Sequence, residues 1–426
     1  MKSDDYKQRT IDDRTLQPET LMMGYGYSPA LSEGALKPPI FLTSTFVFES
    51  AQQGKDLFDI AAGRRAPRKG EAAGLVYSRF NNPNFEILED RIAVWDGAER
   101  GAVFASGMAA IATTLLTFLK PGDVVMHSRP LYGGTETLLH NFLSGLGIIA
   151  VGFVDGLDAQ RVEAATEEAM KQGPVGIIFV ETPANPTSGL IDLRLMAQTA
   201  DAIGRRQGRR PLVAVDNTLL GPMFQQPLRH GADLAVYSLT KYAGGHSDLV
   251  AGGVTGSAEL VGSIVRTRGA TGTQLDPHSC WMLLRSLETL QIRAERACAN
   301  GRRLADFLRG HERIAKVDYL GFLSDDDPRK AVFTRQSTAP GSTFSFDVRG
   351  GEPEAFAFLD KLKVCKLAVS LGGTETLICH PASTTHSGVP KALREEIGLS
   401  DALIRISVGI ENAEDLIADL EQALRA

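Results

Sequence analysis

Cysteine is scarce in this chain: Cys280, Cys298, Cys365 and Cys379 are the only four among 426 residues, and none forms a CxxC pair. They are too few and too scattered to frame a disulfide scaffold, and they read as reduced, buried thiols. Histidine is thin as well. Of eight residues only His380 and His386 lie close together, without the cysteine or acidic companions that a metal site recruits, so no metal is expected. Positive charge is not in excess: 45 Lys and Arg against 51 Asp and Glu give a formal net charge of −6. Nothing is left over to neutralise a nucleic-acid backbone or an anionic bilayer. No apolar run approaches the roughly 20 residues that span a membrane. The opening MKSDDYKQRTIDDRTLQPET is polar where a signal peptide is apolar. A cytoplasmic protein with no nucleic-acid or membrane partner is expected. A GxGxxG turn followed by an acidic residue is missing too, which argues against a dinucleotide-binding oxidoreductase.

What remains, 43% hydrophobic and 23% charged, suffices for a sizeable globular core. From about Gly101 to Ser238 short apolar runs (GAVFA, DVVMHS, GIIAVGFV, VGIIFVE, PLVAVDN, DLAVYS) alternate with helix-length patterns such as SGMAAIATTLLTFL and TETLLHNFLSGL. Continuous apolar runs of this length are what strands buried on both faces of a parallel sheet look like. The expected fold class is therefore α/β, a large doubly wound, mainly parallel sheet. Past about residue 275 the pattern changes to one long helix (SCWMLLRSLETLQIRAERACANGRRLADFLRG), strands STFSFDV and LIRISVGI, and a final amphipathic helix ENAEDLIADLEQALRA, a smaller C-terminal α+β unit. Residues 1–75 carry little periodicity and contain Pro38-Pro39 and the basic stretch GRRAPRKG. They read as an extended arm with a loop, which needs a surface to lie on. The expected organisation is an arm over 1–75, a large domain over 76–275 and a C-terminal domain over 276–426.

Candidate chemistry gathers where the strands end. Lys241, in YSLTKYAGGHSD, follows the run DLAVYS and precedes a glycine pair that lets the backbone turn beside a ligand. In open α/β sheets the carboxyl ends of strands are where ligands bind. Ser238 and Thr240 put two hydroxyls beside it. Ser106-Gly107-Met108 stands between a strand and a helix, where free N–H groups can cradle a phosphate or where Ser106 can simply cap the helix. Asp216 ends PLVAVD and needs a partner, because an unpaired buried charge is costly; a protonated pyridine nitrogen would suit it. Tyr132, in RPLYGGTE, could stack on a flat ring or plug the core. Arg405, polar within LIRISVG, suits a substrate carboxylate or a structural salt bridge.

Nine ordered segments carry a family resemblance: KPPIFLTSTFVF, YSRFNNPN, SGMAAI, LYGGTETL, ETPANPTSG, VDNT, YSLTKY, VSLGGTETLICHPASTTH and RISVGIE. From about Gly34 onward the chain resembles the Cys/Met metabolism family of pyridoxal 5'-phosphate (PLP) enzymes. That group includes cystathionine γ-synthase, cystathionine lyases, methionine γ-lyase and O-acetylhomoserine sulfhydrylase. The resemblance implies the aspartate aminotransferase-like, fold type I architecture and a homotetramer built as a dimer of dimers. It implies that Lys241 holds PLP as a Schiff base, Asp216 pairs with the pyridine nitrogen, and Tyr132 stacks on the ring and relays a proton. Ser106, Gly107, Met108, Ser238 and Thr240 would hold the phosphate, joined by Tyr77 and Arg79 from the neighbouring subunit. Asn185, Ser370 and Arg405 would bind the substrate carboxylate or hold the cofactor oxygen, with Thr385 supporting Arg405. Every position carries the expected residue type, which argues against a silent PLP-binding regulator.

The implied chemistry breaks a bond at Cγ of an amino acid. Lys241 removes the Cα proton, a Cβ proton leaves, and Tyr132 protonates the departing group. The outcome is either 2-oxobutanoate with ammonia (γ-elimination) or a new bond at Cγ (γ-replacement). Val369, beside Ser370, stands where cystathionine-handling members often carry an acid, which leans toward a methionine γ-lyase or sulfhydrylase style of pocket. Gly134 stands where methionine γ-lyase carries a cysteine. The segment from Ala51 to Val76 is longer and more basic than the family pattern and reads as a solvated loop. Methionine, cystathionine, an O-acylhomoserine or canavanine are the substrates these departures leave open.

Overall fold

The apolar runs do become strands, and their two faces go to two different cores. The computed structural model describes residues 5–61, 63–66, 68 and 74–425. Its larger sheet is built from β1 (Arg100–Phe104), β2 (Val124–Ser128), β3 (Ile149–Phe153), β4 (Val175–Glu181), β5 (Leu212–Asp216), β6 (Leu234–Ser238) and β7 (Gly252–Gly256), in the order β1-β7-β6-β5-β4-β2-β3. Only β7 runs against its neighbours. Along β4, Ile177 and Phe179 pack with Ala110, Ile111 and Leu115 of the Gly107–Phe118 helix. Ile178 and Val180 pack with Val162 and Met196 of the Ala159–Gln172 and Leu193–Gln207 helices on the other face. This two-sided burial leaves no polar alternation along the strand.

Strand β7 has no apolar signature, and it was not anticipated. Three of its five residues are glycine, and a Cβ on Gly252 would collide with the Ser106 carbonyl. Glycine lets the turn before the Gly107–Phe118 helix lie directly on the strand.

The second sheet consists of β8 (Ile314–Asp318), β9 (Thr343–Val348), β10 (Lys366–Leu367), β11 (Leu377–Cys379) and β12 (Leu403–Ser407), ordered β8-β9-β12-β11-β10. Phe344, Phe346, Ile404 and Ile406 share a core with Leu304 and Leu308 of the Leu290–Gly310 helix and Leu416 and Leu420 of the Ala413–Leu424 helix. The expected single long helix is in fact two, Pro277–Leu287 and Leu290–Gly310. Thr289 leaves the helical region, and the buried Arg293 takes up the Ser286 carbonyl (2.9 Å) while also reaching the Tyr242 carbonyl (2.8 Å). A side-chain cation thus joins the Thr289 N–H (3.2 Å) on the carbonyl where the helix breaks.

The N-terminal region is less featureless than its sequence. Ala51–Ala61 is an α-helix, which corrects the solvated loop expected for that segment, while 62, 67 and 69–73 of the basic stretch lie outside the described residues. Leu21, Met22, Tyr25 and Tyr27 are buried in a core cluster, whereas further along apolar residues are left uncovered within one chain, with Leu36 81% and Val47 96% exposed. No helix among the described residues is long and apolar enough to cross a membrane.

Candidate active site

Parallel strands bring their carboxyl ends to one edge, so the terminal residues of β4, β5 and β6 meet there: Glu181, Asp216 and Ser238. Glu181 and Asp216 are register partners on adjacent strands. Asp216 is 7% exposed. Its Oδ1 accepts the Thr218 N–H (3.1 Å) and hydroxyl (2.6 Å), while Oδ2 accepts nothing among the described residues. Burial pushes its carboxyl above the ordinary range.

On one side stands the N-terminus of the Gly107–Phe118 helix. The Ser106 hydroxyl is spent on capping, accepting the Ala109 N–H (3.0 Å). The first-turn N–H groups of Gly107 and Met108 have no intrahelical acceptor. A Cβ on Gly107 would lie 2.9 Å from Ser238 Cβ, so only glycine lets the helix end come this close to β6. Thr240 exchanges hydrogen bonds with Ala251, donating from its hydroxyl at 3.1 Å and accepting at 2.9 Å.

Lys241 follows β6, and its Nζ donates to Ser370 Oγ (2.8 Å). Burial, and secondarily the Arg405 charge, lower the pKa of this amine. Arg405, in β12, is 2% exposed. It donates to the Ser370 carbonyl (2.7 Å), the Val369 carbonyl (3.4 Å) and Asn185 Oδ1 (3.2 Å), and its Nε is buried without a partner. Tyr132 is 45% exposed at the rim. A Cβ on Gly134 would lie 2.6 Å from the Tyr132 ring, so this glycine leaves the ring its place.

These elements enclose a cavity of about 380 Å³, within the range of small-molecule sites. Of the residues singled out from the sequence, Ser106, Gly107, Met108, Tyr132, Asn185 and Asp216 line it. So do Ser238, Thr240, Lys241, Val369, Ser370, Thr385 and Arg405. Two do not reach it. Tyr77 bridges Thr45, and Arg79 lies over the Phe80 ring (4.2 Å), donates to the Gly269 carbonyl and faces a separate cavity. Thr385 lines the site, but its hydroxyl pairs with His386 Nδ1 (2.8 Å) and not with Arg405.

Sequence reading overlooked Glu181, Thr218 and His386. Glu181, 3% exposed, takes the Tyr132 N–H on one oxygen (2.7 Å) and the Asn185 N–H on the other (2.8 Å). The signal was an acid closing VGIIFVE, in step with Asp216 closing PLVAVD. His386 is buried near Arg405, and burial followed by the Arg405 charge lowers its pKa to about 4, so it is neutral. The fold also gathers His127, Glu136 and His140, with ligand atoms within 4.8 Å of one another. The nearby Arg129 charge acts on both His127 and Glu136 and makes a second cation there costly.

An open doubly wound sheet with a desolvated lysine, a half-satisfied buried carboxylate and a helix N-terminus around one cavity defines a PLP-dependent enzyme. The fit can be judged group by group. The free N–H groups of Gly107 and Met108 with the Ser238 hydroxyl suit a phosphate, the idle Asp216 Oδ2 suits a protonated ring nitrogen, and Lys241 Nζ suits an aldehyde carbon.

Comparison with known proteins agrees. Residues 19–425 match the profile of the Cys/Met metabolism PLP-dependent enzymes. L-methionine γ-lyase of Fusobacterium nucleatum subsp. nucleatum is 42% identical over 92% of this chain and 94% of that protein. Cystathionine γ-lyase of Bacillus subtilis is 38% identical over 96% of this chain and 99% of its own. The crystal structure of cystathionine γ-synthase from Xanthomonas oryzae pv. oryzae in complex with cystathionine superposes with a TM-score of 0.85 at 33% identity, covering 97% of this chain and 98% of that one. The chain therefore belongs to the Cys/Met metabolism PLP-dependent enzyme family.

Proposed function

We propose that this enzyme cleaves the bond between Cγ and a heteroatom of an L-amino acid, by γ-elimination or γ-replacement. The observation that carries the reading is the shared cavity of Lys241 and Arg405. A partly desolvated amine faces a buried guanidinium whose Nε has no partner. Bound PLP supplies a cationic conjugated ring that accepts the electron pair left when a Cα proton is removed.

The chain's own residues do the rest. Arg405, oriented by Asn185 and the Ser370 carbonyl, grips the substrate carboxylate. Lys241 Nζ, guided by Ser370 Oγ and with its charge disfavoured, takes the Cα proton. Tyr132, at the rim, delivers a proton to the departing heteroatom. Asp216 Oδ2 holds the ring nitrogen's proton, with Thr218 fixing the other oxygen. Val369, 54% exposed beside Ser370, offers an apolar wall where a charged substrate tail would want a partner. This favours a methionine-like side chain, in keeping with the methionine γ-lyase relatives. Replacement at Cγ is the second reading, favoured by the likeness to cystathionine γ-synthase.

The place of Tyr77 and Arg79 supports a shared site. They do not reach their own chain's cavity, and Leu31, Leu36, Leu42 and Val47 of the arm lie bare. In this proposal the arm over 1–75 crosses to a neighbour, within a homotetramer of two dimers working in the cytoplasm. PLP-loaded enzyme assayed on methionine, cystathionine, O-acetylhomoserine and canavanine should release 2-oxobutanoate or a Cγ-substituted product. Pyruvate as the dominant product would overturn the reading. Inactive Lys241→Ala and Arg79→Ala chains should regain activity when co-expressed if sites are shared.

A further inference from the structure

We infer that Glu181 is a positioning residue that ties the Tyr132 turn, the Asn185–Arg405 contact and the charge on Asp216 to a single carboxyl group. This rests on the function proposed above and deepens it. Glu181 Oε2 accepts the Tyr132 N–H and Oε1 the Asn185 N–H. Tyr132 carries the ring at the rim, and Asn185 Oδ1 receives the Arg405 guanidinium. One buried side chain thus sets where the proton donor stands and how the carboxylate-binding arginine is aimed. Ser128 Oγ, from β2 on the other side, accepts the Glu181 backbone N–H (3.1 Å) and holds the end of β4 in place.

Charge couples Glu181 to Asp216 as well. Glu181 and Asp216 are adjacent register partners, and the Glu136 carboxylate also faces Glu181. Burial first, then the Asp216 charge, raises the Glu181 pKa to about 8, against the two N–H groups that favour its ionised form. Like charges this close in a dry site do not ionise together. The pair therefore shares a proton, and a protonated ring nitrogen beside Asp216 Oδ2 would draw the charge to Asp216 and leave the proton on Glu181. The cationic groups sharing the cavity reach other partners: Arg405 donates to Asn185 Oδ1 and Lys241 to Ser370 Oγ.

Two substitutions separate the roles. Glu181→Gln keeps one acceptor but turns the other into a donor, so either Tyr132 or Asn185 loses its anchor, and nothing titrates. Glu181→Asp keeps a titratable carboxyl but is too short to reach both N–H groups. In the PLP-loaded enzyme, each should lower kcat by roughly tenfold or more and raise the substrate KM several-fold, the scale of a buried hydrogen bond left unmade. The PLP dissociation constant should rise several-fold as well. The folded pKa of Glu181 lies above its unfolded value, so the folded chain binds the extra proton between them, and stability falls as pH rises from about 4.5 to about 8. Glu181→Gln should flatten that decline in the melting midpoint, measured with and without PLP, and Glu181→Asp should keep it. Kinetics and PLP affinity within twofold of wild type in both variants, or an unchanged slope in Glu181→Gln, would overturn the inference. Wild-type enzyme that fails to act at Cγ would sink the proposed function instead, and the slope comparison would still decide the role of Glu181.

Discussion

The two large sheets of this chain bury carboxylates in opposite ways. Asp419, on the Ala413–Leu424 helix beside the smaller sheet, is 4% exposed and accepts the N–H groups of Lys363 (2.8 Å), Val364 (2.9 Å) and Cys365 (2.8 Å). Burial alone would raise its pKa, but these three donors, with Gln422 Nε2 as a fourth (3.1 Å), outweigh it and hold the group below the usual carboxylate range. At the edge of the larger sheet, Asp216 has donors on one oxygen only and a second carboxyl beside it, and its pKa is raised. A saturated carboxylate staples loops together, whereas a half-satisfied one waits for a ligand.

Each edge fails in its own way when its key side chain is removed. The largest effect belongs to the functional edge: Lys241→Ala should lower kcat at least about a thousandfold with the melting midpoint of the cofactor-free chain little changed, since the removed group is a general base. Full activity in that variant would undo the contrast altogether. Next, Arg405→Lys should cost about a hundredfold in kcat/KM, because an ammonium cannot copy the guanidinium fork that serves Asn185, the Ser370 carbonyl and a carboxylate together. The loss should fall mainly on KM. At the structural edge the pattern inverts. Asp419→Ala should destabilise the fold by roughly 3 kcal/mol, since three buried N–H groups lose their acceptor. Activity per folded molecule should stay within about twofold, because nothing in the cavity touches that side chain; denaturant melts and titrated active sites would check both.

The same division explains what could be read from the sequence. Six strands of the larger sheet announced themselves through runs such as VGIIFVE, because burial on both faces excludes polar residues. β7 stayed hidden because close packing against Ser106 demanded glycines, which carry no hydrophobic signal. The break at Thr289 lies beside Arg293, whose guanidinium is also held by the Tyr242 carbonyl, brought near only by folding. In the site, Lys241, Asp216 and Arg405 stood out because each is a polar residue placed where a strand or its end is otherwise apolar. Glu181 shares that trait and went unnoticed because its partners, the N–H groups of Tyr132 and Asn185, are backbone atoms. The contact assigned to Thr385 went instead to His386, its neighbour in sequence. Family likeness transfers residue types more faithfully than hydrogen-bond partners.

Asp96 offers the finest test, because it combines full burial with two donors and sits away from the cavity. It accepts the Tyr237 hydroxyl (2.5 Å) and the Thr255 hydroxyl (2.5 Å). Burial nonetheless raises its pKa to about 6, with the two hydroxyls only partly offsetting it. Hydroxyl donors therefore fall short of the three backbone N–H groups that hold Asp419 low. The folded value lies above the unfolded one, so the folded chain binds the extra proton between about pH 4 and pH 6, and this group's contribution to stability is lost as pH rises through that window. For Asp419 the sign reverses: its contribution is present above the unfolded value and lost as pH falls through the folded one. Asp96→Asn should flatten the pH 4 to 6 decline of the melting midpoint, and Asp419→Asn should remove part of the loss below pH 4. Slopes moving in the same direction in both variants would show that donor number does not decide how this chain buries a carboxylate.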